Sequence, residues 1–302
     1  MKAPILAPGS RAGAQVMEKA VKGRSLWDDA RRRLFRNWAA VTGMVVLVVL
    51  VVVALIGPHL VPFSYDQINK NDVWAPPLTG GHLLGADSLG RDLLARLLMG
   101  LRVSLAIGLV ATVVSLVIGV LWGAIAGYVG GALDELMMRV VDVLYSLPFI
   151  FFVILMMVTF GSNIILIFVA IGAVEWLTMS RIVRGQTLGL KHKEFVEAAR
   201  AAGLNQGSII TKHIIPNLLG PVVVYVTLTI PAVILAESFL SFLGLGVQPP
   251  MASLGSLIAN GAQDMELAPW LLVFPSLVMI VTLMSFNFIG DGLRDAIDPQ
   301  DR

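Results

Sequence analysis

Cysteine is absent from this sequence, and charged residues are scarce. With no cysteine among its 302 residues, the chain has no disulfide, no thiolate metal ligand and no thiol nucleophile. Only 14% of the residues are charged, against about 25% in an ordinary soluble domain, and the mean hydropathy is +0.82. The net charge of +2 gives no sign of a nucleic-acid partner. This composition predicts a chain whose main solvent is lipid.

Sequence motifs that carry catalysis are also missing. The sequence contains no G-x-x-x-x-G-K phosphate-binding loop, no H-E-x-x-H zinc motif and no G-x-S-x-G nucleophile turn. The four histidines are not spaced as metal ligands. We therefore expect a chain that is not an enzyme and that binds no metal or cofactor of its own.

Six apolar stretches are long enough to cross a bilayer, which takes about 20 residues. The uncharged run between Asp142 and Glu175 is too long for one span, so we divide it at the turn 161–163 into a hairpin. The predicted spans are 38–57, 103–128, 140–160, 164–182, 217–236 and 269–290. The predicted fold class is an all-α membrane protein with six transmembrane helices, whose membrane domain is 38–290.

The distribution of Lys and Arg orients these spans. Eighteen of the 22 basic residues lie in the tails 1–37 and 291–302 and in two loops that share their side. The other four all lie in the loop 58–102. Because cytoplasmic segments collect Lys and Arg, we expect both termini in the cytoplasm and the loop 58–102 outside. A chain of five spans would place the basic loop 181–217 outside and fits less well.

The segment 27–38 has the pattern of a helix that lies in the headgroup plane. Trp27, Leu34 and Trp38 share one helical face, and arginines crowd the other. A plain basic anchor for the first span explains the same residues, and membrane lipid is the partner in both interpretations. The apolar run that follows lacks the pattern of a cleavable signal peptide, so we interpret it as a retained span.

Small residues recur at every fourth position along the second predicted span. They are Ser115, Gly119, Gly123, Gly127 and Gly131. This spacing places them on one helical face, where glycine lets another helix backbone approach closely. We expect this glycine stripe to pack against a second helix. The alternative is that glycine is simply common in membrane helices.

The largest cytoplasmic loop, 183–216, contains a short predicted helix. Residues 194–202 are rich in Ala and Glu, which favour helices, and Gly203 is a suitable C-cap. Ser208 can cap a second short helix, which Pro216 separates from the fifth span. A preformed helix on the cytoplasmic face is a docking element, with a solvated connecting loop as the alternative.

The same loop resembles a known motif. Glu197-Ala198-Ala199, followed by Gly203 and then by Pro216 thirteen residues later, resemble the EAA loop of ABC-importer permeases. In that family this coupling loop forms a coupling helix that sits in a cleft of the ATPase subunit. The resemblance therefore assigns these five residues to ATPase coupling, and it implies that ATP and Mg²⁺ bind to partner subunits.

Further segments narrow the resemblance to one subfamily. His213 stands where the general motif has isoleucine, which speaks against maltose-type and phosphate-type permeases. Segments similar to the C-type subunit of oligopeptide and dipeptide permeases are 84–93, 102–105, 237–246 and 287–295. Segments most like the oligopeptide permease are 24–33 and 181–186. The resemblance implies uptake of oligopeptides across a bacterial inner membrane, with dipeptides, nickel or glutathione as alternatives.

The resemblance also implies partners. A homologous B-type permease subunit would complete the pathway as a heterodimer, two non-identical ATPase subunits would dock on the coupling loop, and an external binding protein would deliver the peptide. A proton-coupled secondary transporter is the competing class. It needs a relay of intramembrane acids or histidines, and the apolar spans offer only Glu175 and Glu237. A membrane-embedded enzyme is a weaker competitor because catalytic motifs are missing.

Glu237 lies at the external end of the fifth predicted span. The segment that follows, 238–268, combines apolar residues with Gly and Pro and lacks Lys and Arg, which predicts a re-entrant segment covered by protein or water. A poorly packed external loop is the alternative. Because intramembrane acids mark pathways by default, we expect Glu237, Ser238 and Phe239 at the external gate. A structural role for Glu237, as a partner of neighbouring hydroxyls, is the alternative.

Overall fold

The computed structural model describes residues 26–161 and 164–297, which form α-helices and connecting segments without a β-strand in that part of the chain. The helices are α1 (Leu26–Arg36), α2 (Trp38–Ile56), α3 (Leu93–Val129), α4 (Gly131–Ser146), α5 (Phe149–Phe160), α6 (Ile164–Leu190), α7 (Glu194–Ala201), α8 (Gln206–Ile209), α9 (Ile215–Phe242), α10 (Leu254–Gln263) and α11 (Trp270–Ile297). A π-helical turn, Ile210–Ile214, joins α8 to α9. Most of the predicted N-terminal tail lies outside the described residues.

Five of the described helices are long and apolar enough to cross a membrane: α2, α3, α6, the continuous helix Gln206–Phe242 and α11. α4 and α5 are bent by 82° relative to each other, and neither is counted alone. If the two together form one broken span, the number of spans is six. The predicted span 140–160 is thus two helices with a sharp break. Proline pushes the preceding residue out of the helical region, and Leu147, before Pro148, has an extended backbone.

α3 begins at Leu93, well before the predicted start at residue 103, so the connection from α2 is shorter than the predicted loop 58–102. Its N-cap is Asp92, whose carboxylate accepts the Ala95 N–H at 2.7 Å. The predicted span began only after the charged residues Arg91, Arg96 and Arg102, and two of these, Arg91 and Arg96, are paired with Asp87. Arg96 is 2% exposed, and its Nε lies 3.4 Å from an Asp87 carboxylate oxygen.

Helices α3 and α6 approach each other along the glycine stripe. The buried members of the stripe on α3 are Ser115, Gly119, Gly123 and Gly127. A Cβ added at Gly123 would overlap the Ser180 carbonyl oxygen and lie 2.8 Å from Val183 Cβ. The two backbones can be this close only because glycine has no side chain. Gly131 does not belong to this face, since it begins α4 and no atom would lie within 4 Å of its Cβ.

The fifth span is longer than the predicted range 217–236. α8, the π-helical turn and α9 form one helix, Gln206–Phe242, so Pro216 does not separate two helices as predicted. The Ile215 N–H donates to the Ile210 carbonyl five residues back, and Pro216 follows in the first turn of α9. Because the π-helical register changes the bonding pattern just before it, the helix accommodates a residue without an N–H.

The segment predicted to be re-entrant, 238–268, contains the end of α9, a loop and α10. α10 begins with a capping box at Ser253 and packs on α3, α9 and α11. Its buried side chains Leu254 and Leu257 join an apolar cluster with Leu97 and other residues of these helices. This segment is therefore ordered and packed, which excludes the alternative of a poorly packed loop. Its re-entry into the membrane stays a prediction.

α1 and α2 lie against α11, the last helix. A Cβ added at Gly43 of α2 would lie 2.7 Å from the Ser285 carbonyl oxygen, and one at Gly292 of α11 would overlap Ala40. Between α1 and α2, Asn37 acts as N-cap and accepts the Ala40 N–H at 3.2 Å. The rest of α2 exposes mainly valine and leucine side chains, the surface of a helix that faces lipid or another membrane protein.

Candidate functional site

The helix predicted at 194–202 is present as α7, and it ends in a Schellman motif. The Gly203 N–H donates to the Arg200 carbonyl at 2.9 Å, and the Leu204 N–H donates to the Ala199 carbonyl at 3.1 Å. Gly203 has a φ of +79°, a left-handed conformation that glycine adopts without strain. The position of this glycine in the sequence therefore fixes where the helix ends.

One face of α7 packs on the protein and the other is exposed. Val196 is fully buried and Ala199 is 7% exposed. Their apolar neighbours in the same cluster are Ala124, Tyr128, Ile209, Ile210 and Ile214. Glu197, Ala198 and Gly203 are exposed. Among the residues that the resemblance assigns to ATPase coupling, Ala199 thus faces inward, and Glu197, Ala198 and Gly203 form the outer surface.

Polar contacts attach the coupling loop to the helices on either side. Arg200 Nε donates to the Tyr128 hydroxyl at 3.1 Å, and its guanidinium lies 5.1 Å from the centre of the Tyr128 ring. Asn205 caps α8 by accepting the Ser208 N–H at 2.8 Å, so the predicted cap at Ser208 is wrong. Pro216, the last residue that the resemblance assigns to coupling, is exposed.

Two ion pairs join α4 to α6, and neither is among the contacts predicted from the sequence. Arg184 donates two hydrogen bonds to the Asp134 carboxylate, at 2.6 and 2.7 Å. Arg181 donates to Asp142 at 2.8 Å, and its guanidinium lies 4.3 Å from the centre of the Tyr145 ring. The sequence contains a signal for these pairs. Asp134 and Asp142 lie before the long uncharged run that begins at residue 143, and Arg181 and Arg184 lie after it.

A polar cluster fixes the segment between α2 and α3. His82 is 1% exposed, and its Nδ1 lies 2.8 Å from an Asp92 carboxylate oxygen. Its Nε2 lies 3.4 Å from an oxygen of Asp72, and its ring stacks on Phe63 with the centroids 4.5 Å apart. We call these four residues the outer cluster. It connects the loop to Asp92, the N-cap of α3, and so orders the whole connection.

Glu237 is enclosed by hydroxyl groups. Its side chain is 0% exposed, and its Oε1 accepts hydrogen bonds from Ser241 at 2.7 Å and from Ser253 at 2.6 Å. The Ser104 hydroxyl is a third neighbour. Its Oε2 is buried and has no hydrogen-bond partner within the described residues. This geometry favours a structural role for Glu237, as a partner of neighbouring hydroxyls, and its predicted place at the external gate stays a prediction.

The neighbours of Glu237 differ in exposure. The Ser238 hydroxyl donates to the Ile234 carbonyl at 2.8 Å, a bond within its own helix, while the Phe239 side chain is 48% exposed. Glu175 is half-buried on α6.

Across residues 26–161 and 164–297, no three His, Cys, Asp or Glu side chains are grouped so that they could hold a metal ion.

A family model described as the inner membrane component of binding-protein-dependent transport systems matches residues 119–301. The chain belongs to this permease family. A second model, the N-terminal transmembrane domain of oligopeptide transport permease C, matches residues 25–77. Together with the apolar helices, this makes the chain a multi-pass membrane protein of a bacterial inner-membrane permease family.

Relatives of this permease are similar over nearly their whole length. The oligopeptide transport system permease protein OppC of Escherichia coli is 56% identical over 287 residues, 93% of this chain and 94% of that protein. The OppC protein of Haemophilus influenzae is 54% identical, with 95% and 93% covered. The dipeptide transport system permease protein DppC of Bacillus subtilis is 44% identical, with 92% and 87% covered.

The fold of this permease also resembles a solved structure. The MetNI methionine ABC transporter in an inward-facing conformation matches 68% of this chain and 96% of that chain, with a TM-score of 0.56 and 20% sequence identity. At this identity the likeness concerns the fold. The predicted ABC-importer permease fold is confirmed, including an all-α architecture with five spans or, with the bent pair, six.

Proposed function

We propose that this chain is the C-type permease subunit of an ATP-driven importer of oligopeptides and that it forms half of the translocation pathway. The 56% identity to an oligopeptide permease over 93% of the chain supports this function. In this proposal a B-type permease completes the pathway, an external binding protein delivers the peptide, and two non-identical ATPase subunits hydrolyse ATP with Mg²⁺. The chain itself has no catalytic role and binds no cofactor.

The observation that carries the coupling role is the two-sided structure of α7. Its inner face is anchored by Val196 and Ala199, and its outer face presents Glu197, Ala198 and Gly203. The chain then enters the helix Gln206–Phe242 with only a short connection. A firmly seated helix with a free outer surface can receive the movement of an ATPase and pass it to a span, which a flexible loop could not do.

Two variants test this role. Gly203→Val should reduce peptide import by more than about tenfold, because a β-branched residue at this φ adds strain of about 1–3 kcal/mol at the docking surface. Gly203→Asn is the matched control, since asparagine tolerates the left-handed region, and it should retain import. Glu197→Lys should weaken co-purification of the ATPases. Wild-type import and wild-type ATPase recovery with Gly203→Val and Glu197→Lys would contradict the coupling role.

Dipeptide uptake is the second candidate. The observation that favours it is the 44% identity to a dipeptide permease over 92% of this chain. Uptake assays in proteoliposomes that contain the whole importer, with labelled dipeptides, pentapeptides, nickel and glutathione in parallel, separate these substrates. Uptake that follows a proton gradient without ATP would instead support a secondary transporter.

Both termini of the chain lie in the cytoplasm in this proposal. The support is the asymmetry of Lys and Arg, of which only four lie in the segment between the first two predicted spans. Because the protein has no cysteine, single cysteines report without background. Cysteines at Asp28 and Arg294 should be shielded from an impermeant thiol reagent in intact spheroplasts. A cysteine at the exposed Leu78 should react, and labelling of the first two would contradict this topology.

A further inference from the structure

One continuous helix connects the coupling loop to the opposite end of the molecule. It runs from Gln206 to Phe242 and includes Pro221 and Pro231 without ending at either. At 1.5 Å per residue, its 37 residues span about 55 Å. Its first residues pack in the apolar cluster that holds α7, and its last two turns carry Glu237. The coupling loop and Glu237 thus lie near opposite ends of one continuous helix.

Glu237 lies where this helix meets α10 and α3. Ser253, which donates to the Glu237 carboxyl group, is also the N-cap of α10 and accepts the Ser256 N–H at 3.0 Å. The next residue, Leu254, donates its N–H to Ser104 of α3 at 3.0 Å. The carboxyl group therefore contacts α10 at the residue that fixes where α10 begins.

The backbones around this junction are close to each other. A Cβ added at Gly255 of α10 would overlap Cα of Ser238, and one at Gly100 of α3 would lie 3.1 Å from the carbonyl carbon of Ser253. Protein interiors packed in this way have low compressibility and transmit strain. A shift of the end of α9 towards α10 therefore displaces α10 through this packing. A shift away from α10 is transmitted by attractive contacts, such as the hydrogen bond from Ser253 to Glu237.

Placing the Glu237 carboxyl group among apolar helices costs free energy, and this cost needs an explanation. An acid inside apolar helices has an unfavourable free energy of insertion, which is largest at the centre of a span. A residue that lines a pathway recovers part of this by contact with water, but Glu237 is 0% exposed in the chain. Its hydrogen bonds go to Ser241 on its own helix and to Ser253 on α10. Between elements, the carboxyl group contacts Ser253, the N-cap of α10, and has Ser104 of α3 as a further neighbour.

We infer that Glu237 is a positioning residue that ties α10 to the end of α9, so that a movement of α9 set by the coupling loop carries α10 with it. This inference rests on the proposed function. α10 belongs to the connection between the last two spans, on the side of the molecule opposite the coupling loop. Glu237 thereby acts through α10, and it does not contact the peptide.

The position of α10 can be measured with a thiol probe, because the chain has no cysteine. Ala259 of α10 and Ala296 of α11 are each 7% exposed, so cysteines at these positions form a matched pair. In the purified importer, Glu237→Ala should raise the labelling rate of the cysteine at 259 by about tenfold, the scale of a coupling of this kind. The cysteine at 296 should stay protected. Equal labelling of both would mean general unfolding and would overturn the inference.

The transport assay separates positioning from a role of the charge. Glu237→Gln keeps an oxygen that accepts from Ser241 and Ser253, so it should retain import and the protection of the cysteine at 259. Glu237→Ala should lose import while the ATPases still co-purify and hydrolyse ATP, whereas failure of the proposed function would show as loss of the ATPases. Loss of import in Glu237→Gln with the cysteine at 259 still protected would overturn the inference and favour a pathway charge.

Discussion

Arg184 of α6 holds the carboxylate of Asp134 on α4 with two parallel hydrogen bonds, of 2.6 and 2.7 Å. A guanidinium matches a carboxylate in this way because its two N–H groups point in the same direction. α4 has few other anchors, since most of its side chains are exposed. The pair therefore holds α4 on α6 together with the Arg181–Asp142 pair and the buried Val141.

Arg184→Lys should destabilise the protein by about 1–2 kcal/mol, because a lysine cannot donate two parallel bonds and leaves one oxygen of the mostly buried Asp134 unpaired. The measurement is thermal unfolding of the purified protein in detergent. Glu135→Gln is the control, since Glu135 and Arg139 are 77% and 70% exposed and 3.9 Å apart, a pair that contributes little. Equal effects of the two changes would show that α4 is held by other contacts.

Gly123→Ala should separate α3 from α6 and destabilise the protein by about 1–3 kcal/mol, the usual cost of overpacking. The physical reason is that the new Cβ would overlap the Ser180 carbonyl oxygen, which belongs to the backbone and cannot turn away. Gly185→Ala is the matched control on α6, because no atom lies within 4 Å of its Cβ position. Unfolding temperature and membrane yield measure both variants, and equal tolerance would mean that the stripe is not a packing surface.

His82→Phe should loosen the connection between α2 and α3. Phenylalanine keeps the stacking on Phe63, but it leaves the buried carboxylate of Asp92 without its imidazole partner, at a cost of about 1–3 kcal/mol. Limited proteolysis of the purified protein should then cut between α2 and α3 at lower protease concentration. The exposed His192 gives the control His192→Phe, and an unchanged digestion pattern in His82→Phe would argue against the outer cluster as an anchor.

Regular spacing made parts of this structure predictable. The glycine stripe could be read from the sequence because a four-residue interval defines one face of a helix in any context. The end of α7 could be read because Gly203 is followed by a chain reversal that glycine favours. The partner of the stripe, α6, could not be read, since spacing along one helix carries no information about its neighbour.

Other features depend on pairing across the chain. The predicted second span began only at residue 103 because Arg91, Arg96 and Arg102 count as charges in the sequence. An i,i+4 pair of Asp92 and Arg96 indicated a helix leading into that span, but in the structure the partner of Arg96 is Asp87. The break between α4 and α5 had a local signal at Pro148, which the uncharged run around it obscured. The inward position of Ala199 follows from contacts with Tyr128 and the π-helical turn, and a motif alone does not show which of its residues face outward.

The contact between α2 and α11 has a consequence for biosynthesis. α2 leaves the ribosome before the other described spans, and α11 leaves it after them. The two helices pack on each other, because Gly43 faces the backbone at Ser285 and Gly292 faces Ala40. During synthesis α2 can contact α3 early, through Ala54 and its neighbours Leu97 and Leu101, but its side that packs on α11 stays uncovered until α11 is inserted. It is the most apolar of the spans, and it has no charged residue between Trp38 and Ile56. The composition of this helix suits a surface that stays in contact with lipid until α11 is inserted, and a ribosome stalled before α11 would leave that surface uncovered.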